Sequence, residues 1–480
     1  MEPESLSLDV PGLRLAALAW GPKNGRPLLC LHGWLDNAAS FETLAPRLAS
    51  EGHRVVALDL PGHGHSDHRA PGLAYDMLEW VVDVAAAADA LGWPRFMLTG
   101  HSLGAGIASL VAGTLPDRVE RLALLEGLAP NAVSAAEAPE RLAKSIAGRG
   151  RREARPPKAF PDLEAAAERL REAVPELGVE GARRLVARGT RPVEGGLTWR
   201  VDARLRGTSP YRITEDHIRA FLGRISCPSL VVRADRGWEF DPRLLAERAA
   251  CIRDLRVAEV HGGHHVHLDD PGTVLERLVP FLAGRPDPGT GTDPRSLEHL
   301  GYRQGELGRA LRGVKLVVLD VDGAMTTGAL GYGPDGDLGK EFYVRDGLGI
   351  LALRRAGIGV AILSGRASRT TQARAADLGI SPCLTDVQDK VEGLGRLLAQ
   401  TGLTAQDVAY LGDDYVDVGV LRRVGVPAAP ADAAPEALAA AKLVTRAPGG
   451  RGAVRELAEV ILRAQDRWKD EVARHDPPLV

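Results

Sequence analysis

Two carboxylates stand two residues apart at the end of an apolar run, in Val317-Val318-Leu319-Asp320-Val321-Asp322-Gly323. At that spacing one aspartate can attack phosphorus and form an aspartyl-phosphate, while the other protonates the leaving oxygen and then activates water. Phosphoryl transfer also needs a donor to the phosphate oxygens, a fixed cation and oxygen ligands for a metal. Each occurs downstream. Ser364 ends the run Gly359-Val360-Ala361-Ile362-Leu363, Lys390 follows, and Asp413 lies in Leu411-Gly412-Asp413-Asp414. Asp320, Asp413 and the backbone carbonyl of Asp322 would give Mg²⁺ its hard oxygen ligands. Asp414 and Asp417 are expected to orient that shell.

A second nucleophile motif of different chemistry lies far upstream, Gly100-His101-Ser102-Leu103-Gly104. The run 96–99 reads as a strand and 105–110 as the following helix. Ser102 is therefore expected on a sharp elbow at the sheet's top, its hydroxyl exposed over a helix N-terminus. His264, after Gly262-Gly263, is the natural general base. His265 and His267 are taken as packing or surface residues. The backbone N–H groups of Trp34 and Leu103 would form an oxyanion hole. The third member, which fixes the histidine tautomer, is Glu126 or Asp235. Glu126, ending the run 122–125, is preferred.

These residues need two scaffolds. In the first part, apolar runs at 27–31, 54–60, 95–99, 121–125 and 229–233 alternate with helical stretches such as 74–91 and 104–115. That alternation predicts a mostly parallel α/β sheet with helices on both faces. Residues 129–224 break the pattern and read as a helical lid. Its Arg149, Arg151, Arg152 and Arg155 read as a solvated face rather than an anion trap. The Pro- and Gly-rich stretch 284–304 reads as a linker. After it come a helix near 297–312 and strands at 315–319, 360–363 and 408–411. A hairpin is expected around Pro334-Asp335-Gly336-Asp337, flanked by 329–331 and 341–344.

The first part, residues 1–283, resembles the α/β-hydrolase superfamily. The segments His32-Gly33-Trp34-Leu35-Asp36-Asn37 and Asp59-Leu60-Pro61-Gly62-His63-Gly64 are similar to its serine hydrolase-like group. Residues 305–480 resemble the haloacid dehalogenase superfamily phosphatases. Within them they resemble the 3-deoxy-D-manno-octulosonate 8-phosphate phosphatase family, through Asp320–Gly328, Lys340–Gly347, Ser364-Gly365-Arg366 with Arg374, Gly412–Asp417 and Gly449–Glu456. The resemblance implies a Rossmann-like domain with only a hairpin for a cap. It implies Mg²⁺-dependent hydrolysis of a phosphorylated eight-carbon sugar acid, a step of lipopolysaccharide synthesis. It also implies a homotetramer whose neighbours cover the site, with Lys340, Arg345, Arg366 and Arg374 as candidate substrate ligands. Thr327, where the family often has Asp, and Ala324-Met325, in place of Val-Leu, are departures from the pattern.

The composition suits two hydrolases. The chain has 480 residues with a net charge of -3, which does not favour nucleic acid. No apolar run reaches the ~20 residues of a membrane span. Cys30, Cys227, Cys251 and Cys383 form no C-x-x-C pair, and no basic, apolar leader precedes the first strand, so a cytoplasmic setting is expected. The substrate of the serine hydrolase is not legible beyond an ester. Two alternatives stay open: another ulosonic or sialic-type sugar-acid phosphate, or a C-terminal part that serves as a non-catalytic tetramerising module. A third makes the N-terminal part a binding scaffold.

Overall fold

The computed structural model describes residues 2–148, 159–286, 290–291, 305–333, 336–337 and 339–475. The four lid arginines at 149–155 and the tip of the expected hairpin, 334–335, lie outside them. Contacts divide the chain into two compact units, Met1–Glu298 and His299–Val480.

In the first unit the strands are β1 (Glu4–Val10), β2 (Leu13–Trp20), β3 (Arg26–Leu31), β4 (His53–Leu58), β5 (Phe96–His101) and β6 (Val119–Leu125). A small hairpin follows, β7 (Thr190–Val193) with β8 (Gly196–Trp199), then β9 (Ser229–Arg236), β10 (Leu255–Gly263) and the two-residue β11 (Thr290–Gly291). The main sheet runs β1-β2-β4-β3-β5-β6-β9-β10-β11. From β4 to β10 the pairs are parallel, and antiparallel strands stand at both edges. The central strands are buried along almost their whole length, as a sheet covered on both faces requires. Helix Met77–Ala90 starts where the Asp76 carboxylate accepts from the N–H groups of Leu78 and Glu79.

Between β6 and β9 stands an insertion of helices, including Leu163–Ala173 and Val179–Gly189. It also holds the β7–β8 hairpin, where the sequence reading expected helix alone. Polar contacts tie it to loops of the sheet, among them two with buried partners. Arg188 pairs with the buried carboxylate of Asp59 at 2.8 Å, and Asn37 Nδ2 donates to the carbonyl of Leu185. The segment read as a linker contains β11, which pairs with Val257 and Ala258.

The second unit is built on β12 (Leu316–Leu319), a two-residue pair β13 (Tyr332–Gly333) and β14 (Gly336–Asp337), β15 (Gly359–Leu363), β16 (Cys383–Leu384), β17 (Val408–Leu411), β18 (Val426–Ala429) and β19 (Leu443–Val444). The sheet order is β16-β15-β12-β17-β18-β19, all parallel. Its two faces carry separate apolar layers, one around Val317, Leu319 and Ile362, the other around Val318, Leu363 and Tyr410. The expected flanks of the hairpin move. Tyr332–Gly333 pairs with Gly336–Asp337, and Val344 opens helix Val344–Arg355 instead of ending a strand. Ala324 and Met325 are buried in the core, so that departure from the family pattern concerns packing, whereas Thr327 is exposed.

Candidate active sites

Strand β5 runs directly into helix Leu103–Thr114, with Ser102 between them at φ 51° and ψ -111°. A side chain seldom adopts that left-handed backbone, and the neighbouring glycines show why the turn closes. A Cβ on Gly100 would lie 2.2 Å from the Gly104 carbonyl oxygen, and one on Gly104 would lie 2.1 Å from that of Leu31. Ser102 Oγ is 3.0 Å from His264 Nε2, and His264 Nδ1 is 3.2 Å from Glu126 Oε2.

Glu126 is wholly buried. Its Oε1 accepts from the Ala234 N–H at 2.6 Å, its Oε2 from the Trp238 N–H at 2.9 Å, and Arg233 stands 3.5 Å away. Burial would raise its carboxyl, but Arg233 and His264 outweigh it and hold the group below its ordinary value. Asp235 is placed elsewhere. Its carboxylate meets His261 Nδ1 at 2.8 Å and the Gly262 N–H, so the choice left open in the sequence falls geometrically on Glu126.

Trp34 and Leu103 line the same cavity as Ser102, a space of about 1200 Å³. The insertion forms part of its wall through Pro130, Val174, Leu205, Tyr211 and Ile213. Trp238 packs 5.5 Å from the His264 ring. His265 and His267 are buried, not on the surface. His267 is hydrogen-bonded to Ser40, and His265 faces Asp36.

In the second unit, Asp320, Ser364 and Asp413 follow the parallel strands β12, β15 and β17, which brings them to one sheet edge. That edge is where open α/β sheets bind ligands. Lys390 is the first residue of helix Lys390–Thr401, whose N-cap Asp389 accepts from the N–H groups of Val391 and Glu392. A cation at a helix N-terminus opposes the helix dipole, so its position needs carboxylates. Lys390 Nζ lies 3.0 Å from Asp320 and 2.6 Å from Asp417. Asp417 is fully buried and also accepts from Tyr410 Oη at 2.5 Å and from the Asp413 N–H at 3.0 Å. Neither Tyr410 nor the full role of Asp417 was legible as a site feature, because an apolar strand hides its one inward hydroxyl.

Ligand oxygens of Asp320, Asp413 and Asp417 all lie within 4.8 Å of one another. Burial and the neighbouring Asp320 push the Asp413 carboxyl up to about 8, and burial pushes Asp320 up to about 6. Asp413 Oδ1 is buried with no hydrogen-bond partner. Crowded carboxylates with an orphaned oxygen fit a divalent cation held by oxygen. Gly323, at φ 90°, makes room for them, since its Cβ would stand 1.9 Å from Asp413 Oδ2.

Of the candidate substrate ligands, Lys340 is turned inward. Its Nζ lies 2.6 and 2.8 Å from the two oxygens of Asp322. Arg345 and Arg366 are exposed, and the backbone N–H of Arg366 donates to Ser364 Oγ. Arg374 pairs with Asp377 and lies over the Phe342 ring. Asp346, in the Lys340–Gly347 block, accepts from the N–H groups of Gly452 and Arg455, which joins that block to Gly449–Glu456. Asp414 accepts from the Tyr415 N–H.

Residues 26–271 match the α/β-hydrolase fold family, and residues 384–456 match haloacid dehalogenase-like hydrolases. A serine hydrolase-like protein of Danio rerio is 34% identical over 57% of this chain and 87% of its own length. A 3-deoxy-D-manno-octulosonate 8-phosphate phosphatase of Yersinia pestis is 44% identical over 32% of this chain and 82% of its own. The crystal structure of a hypothetical protein from Pseudomonas aeruginosa is 41% identical, covering 59% of this chain and all of that one, with a TM-score of 0.55. No helix among the described residues is long and apolar enough to cross a membrane. The chain is a two-domain hydrolase that belongs to two families at once, serine hydrolase-like α/β hydrolases in its N-terminal part and haloacid dehalogenase-like phosphatases in its C-terminal part.

Proposed function

We propose that the C-terminal part, residues 305–480, hydrolyses 3-deoxy-D-manno-octulosonate 8-phosphate with Mg²⁺, and that residues 1–283 hydrolyse an ester through Ser102. The observation that carries the first reading is the buried Asp320–Lys390–Asp417 contact beside the orphaned oxygen of Asp413. Asp320 Oδ attacks phosphorus and the sugar oxygen leaves with a proton from Asp322. Asp322 then takes a proton from the water that cleaves the aspartyl-phosphate. Lys390 and Ser364 hold phosphate oxygens. Asp320, Asp413 and the Asp322 carbonyl would hold Mg²⁺, which when bound would supply charge neutralisation to the transferring group. Lys340 holds the Asp322 carboxylate in place between its two proton transfers. Arg345, Arg366 and Arg374 remain candidates for the sugar-acid carboxylate, in a homotetramer in which neighbouring copies cover the site. The free thiols of all four cysteines support a cytoplasmic setting.

In the N-terminal part, His264 takes the Ser102 proton as Oγ attacks the acyl carbon. Glu126 holds Nδ1–H and stabilises the imidazolium. The N–H groups of Trp34 and Leu103 receive the oxyanion. The relative's activity on the eight-carbon sugar acid phosphate supports the substrate named for the C-terminal part.

The test is phosphate release from that sugar-acid phosphate by the full chain, with Mg²⁺ and with EDTA. Turnover is expected with Mg²⁺ alone and is expected to vanish in Asp320→Asn. Turnover confined to other sugar-acid phosphates would replace the substrate and keep the mechanism. No phosphatase activity at all would leave the C-terminal part a tetramerising module.

A further inference from the structure

The loop after β3 and the turn after β10 bring three potential ligands together behind Ser102. Asp36 Oδ2 lies 3.6 Å from His101 Nδ1 and 3.4 Å from His265 Nε2, and all three atoms fall within 4.8 Å of one another. All three side chains are buried, His101 completely. We infer that Asp36, His101 and His265 form a site for one divalent transition-metal ion of the zinc class.

The tautomer of His101 carries the argument. Its Nε2 is 2.9 Å from the carbonyl oxygen of His264. A carbonyl only accepts, so Nε2 holds a hydrogen, and in the neutral ring Nδ1 then holds the lone pair. That lone pair faces the Asp36 carboxylate, another acceptor, and neither His101 Nδ1 nor Asp36 Oδ2 has a hydrogen-bond partner. Two buried acceptors turned toward each other are relieved by a cation between them, either a proton or a metal ion. A proton on His265 would satisfy Asp36 but leave His101 Nδ1 orphaned. A metal ion satisfies all three.

The spacing agrees. Tetrahedral ligands at about 2.1 Å from zinc stand about 3.4 Å apart, close to the two separations found here. Two imidazoles and a carboxylate suit zinc, cobalt, iron or nickel rather than magnesium. A metal-bound histidine commonly gives its other N–H to a backbone carbonyl, as His101 does to His264. Gly33 leaves the space open, since its Cβ would lie 2.8 Å from Asp36 Oδ2 and 2.9 Å from His101 Nδ1. Asp36, His101 and His265 also line the large cavity, which provides an entry path. The ion would fix His101, and through its hydrogen bond the backbone of His264. Asp36, His101 and His265 are thus positioning residues for the base.

The test is metal binding by the full chain with Mg²⁺ in excess, in an Asp320→Asn, Asp413→Asn background that removes the other acidic cluster. After exchange into cobalt, one equivalent is expected to survive gel filtration and to give the intense visible absorption of a tetrahedral site. X-ray absorption of the zinc form is expected to show two imidazoles and one carboxylate. Asp36→Asn, which keeps the side chain's shape but removes a ligand charge, and Gly33→Ala, which fills the ion's space, should each weaken cobalt binding at least about a hundredfold, no less than loss of an outer partner costs. Their circular dichroism should be unchanged. A chain that retains no cobalt or zinc overturns the site, and so does binding that survives Asp36→Asn in the folded protein. In the first case protonated His265 alone closes the pair with Asp36. Failure of ester hydrolysis in an otherwise metal-loaded chain would instead count against the Ser102 reading.

Discussion

Gly237 and Glu126 share one space: a Cβ on Gly237 would stand 1.9 Å from Glu126 Oε2. The loop after β9 has no side chain at that point because the carboxylate from β6 already fills it. The Ala234 and Trp238 N–H groups on either side donate to that carboxylate, so loop and acid form one unit.

Glu126→Gln should therefore lower ester hydrolysis by about 10²- to 10⁴-fold, as loss of the orienting acid does in serine triads. Asp235→Asn, which loses only the contact to His261, should change it by less than about tenfold. Both are read as kcat/KM on a chromogenic acyl ester, with fluorophosphonate labelling of Ser102 as a second measure. A larger loss in Asp235→Asn than in Glu126→Gln would return the triad acid to Asp235. Gly237→Ala should resemble Glu126→Gln, because the new methyl displaces the carboxylate.

Lys340 and Asp322 suggest a different experiment. Lys340→Met removes the ion pair at 2.6 Å that steadies the acid. Phosphatase kcat should fall, because the side chain that carries both protons loses the contact that fixes its position. KM for a small phosphate ester should change less than kcat. A change in KM alone would make Lys340 a substrate ligand.

Metal and pH should be linked at Asp320 and Asp413. Both hold their proton above the ordinary carboxylate range, to about 6 and about 8. The folded metal-free chain thus binds more protons than the unfolded one up to about pH 8, and its stability falls as pH rises through that interval. In EDTA the thermal midpoint of the C-terminal part should drop across this range. Mg²⁺ should raise the midpoint most at the alkaline end, where both carboxylates are free to bind it. A midpoint in EDTA that stays level with pH would remove Asp413 from the metal site.

Gly323→Ala offers a sharper probe of the same cluster. The methyl would collide with Asp413 Oδ2 and would need the left-handed backbone at φ 90°. Loss of at least about a hundredfold in phosphatase kcat is expected, in the range seen when a transition-state donor is removed. The ester hydrolysis of the other unit should be unaffected. Wild-type phosphatase activity in this variant would rule out Asp413 as a working ligand.

The two folds were legible because apolar runs and turn residues report sheet alternation directly. Strands β3, β5 and β17 begin and end within a residue or two of their apolar runs. Edge strands were not legible: β1 is half exposed, with the mixed pattern Glu-Ser-Leu-Ser-Leu-Asp-Val. The preference for Glu126 over Asp235 could not be made firm from the sequence, because both stand at the ends of strands of one sheet, Glu126 just past β6 and Asp235 near the end of β9. Only the path of the Glu126 side chain across to Trp238 separates them. The packing of Lys340 against Asp322 was hidden for a similar reason, since it depends on the loop that leads into helix Val344–Arg355 reaching the turn after β12.

The glycine pair far down the chain has a consequence for the order in which the two centres can close. A Cβ on Gly449 would lie 1.7 Å from the Gly323 carbonyl oxygen, and the Gly450 N–H donates to the carbonyl of Ala324. The nucleophile loop is thus clasped by residues made after every strand of its sheet. While the chain emerges N-terminus first, the serine centre can close long before the phosphatase centre exists. A ribosome stalled before Gly449 would hold a chain with Ser102, His264 and Glu126 already made but with the loop at Asp320 still unclasped.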